Sequence, residues 1–205
     1  MVREDERHSR ALEHPVVGSL PDMPGIVAAM HLGPKLAVHL RGLADALLVD
    51  EYVGATLSRA ERELIATAVS AGNDCFYCMD THGAFASELL RREQAAAIEP
   101  IIDSLKMGRS EGVSPKIAAL LAIARAVRAN ARSLTRTAVE AATSAGATDA
   151  DVQLAVLIAS AFCMYNRMVD GLRTRTPTDV AAYSARAAEI ADHGYSDPRV
   201  KSIPA

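Results

Sequence analysis

The chain has 205 residues, is 50% hydrophobic and carries a net charge of −3, so it can bury one substantial core but would leave two full-sized domains thin. Near-neutral charge with three Phe, five Tyr and no Trp offers neither the basic footprint nor the stacking platform of a nucleic-acid binder. No run reaches the roughly 18 apolar residues of a membrane span.

The opening, Met1 to His8, is charged and lacks the apolar core of a secretory signal. With no membrane span either, a soluble cytoplasmic protein is expected; in that reducing setting three cysteines do not make a disulfide framework, so a close pair of thiols points to redox or metal chemistry. Residues 1–24, with Pro15, Pro21 and Pro24, read as an extension wrapping over the body or a neighbouring subunit. Residues 25–195 read as one helical domain and 196–205 as a tail. Apolar periodicity is helical nearly throughout, in Ala-rich stretches without alternating β-branched runs, which makes the class all-α.

The first helix is expected near Pro34, running through Leu36, Val38, Leu40, Leu43 and Leu47. Ser58 and Glu61 form a capping box that starts a second helix, with Leu64, Ile65, Ala68 and Val69 on its apolar face and Gly72 as the left-handed residue that ends it. Asp74 is expected to cap the next helix, from Cys75 to about Arg92. Ser114-Pro115 opens a long helix through Leu120, Ile123 and Val127, and Thr135 a shorter one ending before Gly146. Thr148 to Asp151 caps the apolar run Val152 to Val169, which stops at Gly171, and a last helix spans about Thr178 to Ala191. At an offset of 90, Ser58, Glu61, Leu64 and Ser70 match Thr148, Asp151, Leu154 and Ser160, a weak hint of internal duplication. In the second copy Tyr165, Met168 and Leu172 replace Cys75, Cys78 and His82, which makes that copy scaffold.

At 100° per residue, Cys75, Cys78, His82, Phe85, Ala86 and Leu89 share one inward face, while Tyr77 and Asp80 are expected to point to solvent or a subunit contact. The thiols therefore belong in a partly apolar pocket at a helix start, where unpaired N–H groups and the helix dipole favour a thiolate. His82, one turn after Cys78, can take its proton. Dipole proximity alone favours Cys75 as the acidic thiol, and the imidazole favours Cys78. An antiparallel helix pair would bring Glu63 beside His82 to fix its tautomer, although Glu63 also has Arg59 and Arg62 as local ion-pair candidates.

Glu63, then Cys75-Phe76-Tyr77-Cys78, then three residues and His82, resembles the alkylhydroperoxidase AhpD-like family of the carboxymuconolactone decarboxylase superfamily, nearest its peroxidase-related branch. The resemblance runs from about Pro24 through Ser58–Ala86 to Phe162–Leu172. It implies an all-helical fold, a homo-oligomer (trimer or hexamer) and thiol-dependent reduction of a hydroperoxide without a cofactor or metal. It also implies roles: Cys78 attacks peroxide, Cys75 resolves the sulfenic acid as a disulfide, and Glu63 and His82 relay protons. A dithiol donor, a lipoyl domain or thioredoxin-like protein, restores the pair. Where well-known members carry a histidine before the second cysteine, this chain has Tyr77, a poor base at neutral pH.

Three other readings compete: a carboxymuconolactone decarboxylase-type enzyme using His82 and Glu63, a zinc-binding module using Cys75, Cys78, His82 and Glu63, and a redox sensor without turnover. Cys-x-x-Cys with one further placed ligand is half of a usual zinc site. Cys163 reads as inert core, Asn166, Arg167 and Asp170 as structural residues pairing with one another or across a subunit boundary, and His14, His31, His39 and His193 as ordinary surface or core residues.

Overall fold

The computed structural model describes residues 15–197; His14, the rest of 1–14 and residues 198–205 lie outside the described part. Among the described residues the chain forms helices and no strand, with one isolated bridge between Pro24 and Arg175. The helices are α1 (Gly25–His31), α2 (Pro34–Leu48), α3 (Arg59–Gly72), α4 (Phe76–Arg92), α5 (Ile98–Lys106), α6 (Pro115–Asn130), a 3-10 turn (Ala131–Ser133), α7 (Arg136–Ser144), α8 (Asp149–Gly171) and α9 (Val180–His193). The all-α class stands.

Both capping boxes form. Ser58 accepts from the Glu61 amide at 3.2 Å while Glu61 accepts from the Ser58 amide at 2.9 Å. Thr148 and Asp151 repeat the exchange, each at 3.0 Å. Asp151 also accepts from the Thr56 and Leu57 amides, at 2.7 and 3.1 Å, so the start of α8 is tied to the segment that leads into α3.

The core gathers around α3, which packs against α4, α5, α6 and α8. By length and mean hydropathy of 1.4, α8 is apolar enough to cross a membrane. Here it is an interior helix, with Leu154, Ile158 and Phe162 buried against α3 and α6. α9 covers a further side of α4.

Two helices go beyond the sequence reading. α1 has seven residues and α5 nine, too short for several turns of apolar periodicity, and neither has a side-chain cap. The turn after α3 also differs. Gly72 is helical, the left-handed residue is Asp74 with φ 55°, and Cys75 rather than Asp74 is the N-cap of α4. Gly72 serves proximity instead: a Cβ there would lie 2.6 Å from Arg128 Nε, and Arg128 donates to the Gly72 carbonyl at 2.7 Å.

Candidate active site

The short connection after α3 turns the chain back so that α4 packs along it, with the Cys75 amide bonded to the Ser70 carbonyl at 3.1 Å. This hairpin brings Glu63 to His82: Nδ1 lies 2.7 Å from Glu63 Oε2. Arg59 and Arg62 are not its partners. Arg59 bonds the Ile190 and Ala191 carbonyls, and Arg62 those of Asp50 and Leu57. A carboxylate only accepts, so Nδ1 carries the proton and Nε2 is left as the base of the neutral ring. The ring is held edge-on by Phe162 and Phe85, at centroid distances of 4.5 and 5.4 Å.

A third group joins this pair, one that sequence reasoning missed. The Tyr195 hydroxyl donates to Glu63 Oε1 and lies 3.4 Å from His82 Nδ1, while its ring stacks on the imidazole at 6.1 Å. Burial first, then the charge of Glu63, holds the phenol well above its ordinary range, so it stays a donor. Asp45 fixes the segment by accepting from the Tyr195 and Ser196 amides, at 2.6 and 2.9 Å. The preceding Gly194, φ 74°, leaves room that a Cβ would close to 2.8 Å from Asp45 Oδ1.

Cys75 and Cys78 are free, buried thiols. The Cys75 thiol is raised well above its usual range, first by its hydrogen bond to the Cys78 side chain, then by burial and by the charges of Cys78 and Asp170. The N-cap position therefore does not make Cys75 the acidic thiol. It keeps its proton and donates to the sulfur of Cys78.

Phe85, Ala86 and Leu89 face inward with the thiols, as their phase requires. Tyr77 and Asp80, however, do not point to solvent. Both are buried because α1 and α9 enclose the first turns of α4: the Tyr77 ring lies against Gly25 and Tyr183, and Asp80 pairs with Lys106 of α5 at 3.0 Å. Burial raises the Tyr77 phenol far above neutrality, so it supplies no base in place of the family's histidine.

A largely apolar cavity of about 60 Å³ adjoins this network. Cys78 and His82 line it, with Met30, Phe162 and Tyr195; Cys75 lies behind Cys78, packed with Val169 and Tyr183. The wall also includes Arg186 of α9. Its signal in the sequence is a lone cation amid the apolar spacing of α9, which does not say what that helix covers.

Two of the second-copy polar residues bond within the fold. Asn166 bonds Ser70 and Asn73, at 3.1 and 2.8 Å, and Arg167 turns to the Cys163 carbonyl of its own helix, so these two bond elsewhere than to each other. Cys163 is half-buried and receives a weak bond from Asn73 at 3.6 Å. Among the described residues, no three His, Cys, Asp or Glu side chains converge as a metal-ligand set. The arrangement is two coupled pairs, a dithiol and a carboxylate–imidazole.

Residues 34–126 match the model of the carboxymuconolactone decarboxylase family. No curated protein matches the chain in sequence. Two solved structures are similar. One is an alkylhydroperoxidase AhpD core, an uncharacterized peroxidase-related protein from Ralstonia eutropha JMP134, with TM-score 0.66 and 24% identity over 77% of this chain and 78% of that one. The other is an uncharacterized peroxidase-related protein from Silicibacter sp. TM1040, with TM-score 0.65 and 23% identity over 82% of this chain and 92% of that one. At these identities the likeness is one of fold.

Proposed function

We propose that this chain, whose residues 34–126 match the carboxymuconolactone decarboxylase family, is an AhpD-like member of that superfamily and a thiol-dependent hydroperoxide reductase. The observation that carries the reading is the placement of Cys78 and His82 in one cavity wall, with Cys75 behind them bonded to the Cys78 sulfur. His82 Nε2 takes the Cys78 proton. The thiolate attacks the distal oxygen of R–O–O–H, the O–O bond breaks, and the alkoxide leaves as R–OH with a proton returned from the imidazolium. Cys78 is then a sulfenic acid. Sulfur of Cys75 attacks it, giving a Cys75–Cys78 disulfide, and the Cys75 proton leaves with the hydroxide as water.

Glu63 holds the imidazole in the accepting tautomer and stabilises its cation, and Tyr195 holds Glu63. A dithiol donor, a lipoyl domain or a thioredoxin-like protein, returns two electrons and two protons to the disulfide. A reducing cytoplasm supplies such donors, and we place the protein there as a homo-oligomer, a trimer or hexamer.

The test is thiol titration of reduced protein with one equivalent of cumene hydroperoxide. Two thiols are lost in the wild type, with a Cys75–Cys78 linked peptide. Cys78→Ser is expected to lose none of its remaining thiols, and His82→Ala to react slowly. Both thiols free after oxidation, or equal rates in all three proteins, would overturn the reading. Full lactone turnover by the Cys75→Ser/Cys78→Ser variant would move the assignment to decarboxylation.

A further inference from the structure

Arg186 has no role in the chemistry above. Its Nη1 is shielded from solvent and has no hydrogen-bond acceptor among the described residues, although the guanidinium is part of the thiol cavity wall. A buried cationic donor without an acceptor is costly. Burial lowers its proton affinity most and Arg41 adds to that, while Tyr77, Tyr195 and, most weakly, Glu189 act against it.

Arg41 belongs to a second space. A more open hollow of about 420 Å³ is lined by Arg41, Met23, Val27, Ala37 and Val38, and Met30 is common to its wall and that of the thiol cavity. Tyr195 lines the inner space and Ser196 the outer one. The inner cavity is no larger than about two waters' share of liquid volume. Its small volume suits a peroxide group, and the larger hollow that shares Met30 offers space for the body of an organic substrate. Each space has one guanidinium in its wall, Arg186 in the inner and Arg41 in the outer, Arg41 bears on Arg186 by charge, and no carboxylate side chain lines either space.

We propose that Arg186, assisted by Arg41, is an anion-recognition residue and that the preferred substrates are organic hydroperoxides bearing a carboxylate. The carboxylate pairs with the Arg186 guanidinium and is drawn by the charge of Arg41, the hydroperoxide reaches Cys78, and the apolar remainder lies against Met23, Val27 and Val38. A carboxylate is the planar acceptor that a guanidinium matches in geometry and charge. This inference rests on the peroxidase reading for its redox step, and the carboxylate itself is not consumed.

The experiment compares an aliphatic hydroperoxide carrying a terminal carboxylate with its methyl ester, by the rate of thiol loss. In the wild type the acid is expected to react about tenfold faster or more, the scale of one charge-assisted hydrogen bond. Arg186→Gln brings the ratio close to one by slowing the acid more than the ester, and Arg186→Lys keeps part of the preference. No preference in the wild type, an undiminished preference in Arg186→Gln, or equal slowing of both substrates overturns the proposal. Should neither compound oxidise the wild type, the peroxidase reading fails instead. Calorimetric titration with the redox-inert hydroxy acid then decides the anion site: binding lost in Arg186→Gln upholds it, and absence of wild-type binding overturns it.

Discussion

The Tyr195 hydroxyl donates to Glu63 Oε1 across 132 positions of sequence, so the carboxylate that orients His82 is itself held from the end of the last helix. With Oε2 on the imidazole and Oε1 on the phenol, neither oxygen of a buried carboxylate is left unmet. The same contact holds the residues just after α9 over the site.

Tyr195→Phe removes one acceptor–donor pair from that carboxylate and changes little in volume. A hydrogen bond to a charged group is worth about 1.5–3 kcal/mol net, and for a domain of this size each kcal/mol shifts Tm by roughly 2–4 °C. The variant is expected to melt lower by about 3–12 °C, from these same scales, and to lose Cys78 more slowly on adding peroxide. An unchanged melting temperature by calorimetry would show that the phenol does not hold Glu63.

Glu63→Gln tests the tautomer. An amide facing Nδ1 can present its NH₂ group, which places the ring proton on Nε2 and removes the base aimed at the cavity. Loss of a positioned general base costs on the order of a hundredfold in rate. ¹⁵N shifts of His82 should move from the Nδ1–H to the Nε2–H pattern as peroxide oxidation slows. If the rate falls without a tautomer change, Glu63 acts through charge alone.

Alkaline stability and alkylation read the Cys75 thiol. Its folded pKa lies above the unfolded value, so above pH about 8.5 the unfolded chain releases a proton that the folded chain retains. The stabilisation is complete below the unfolded pKa and is lost as pH rises towards the folded one. Urea midpoints should therefore fall between pH 8 and 10 more steeply in the wild type than in Cys75→Ser. The buried phenols of Tyr77 and Tyr195 act in the same direction and are common to both proteins. At pH 7.5 iodoacetamide should label Cys78 before Cys75. Preferential labelling of Cys75 would reverse their roles.

How much of this was legible follows from distance along the chain. Cys75, Cys78 and His82 lie on one helix, where phase alone places them, and Glu63 lies on the helix just before it, joined by a short turn. Both capping boxes are local grammar and formed as read. Tyr195 and Arg186 reach the site from α9 and its end; the Tyr195–His82 contact spans 113 positions, and no local pattern encodes which face of α4 that helix covers. The same coverage explains Tyr77: amphipathic reasoning assumes one open side, and the first turns of α4 have none.

Gly25 and Tyr77 give the sharpest check on that enclosure. Gly25 has φ 52°, and a Cβ there would sit 2.0 Å from Tyr77 Cε1 and 2.1 Å from Cδ1, on a ring already packed at 6.2 Å from Tyr183. A left-handed non-glycine residue costs about 1–2 kcal/mol by itself, and Gly25→Ala must also displace the ring. In a Tyr77→Ala background the ring is gone and only the backbone cost remains. Gly25→Ala should thus destabilise the wild type by more than it destabilises Tyr77→Ala, a coupling above the roughly 0.5 kcal/mol scatter of independent sites. Urea unfolding of the four proteins measures it. Because the ring also lines the thiol cavity, Gly25→Ala should change the rate of Cys78 oxidation as well. Additive stabilities together with an unaltered rate would mean that α1 does not close the wall around Tyr77.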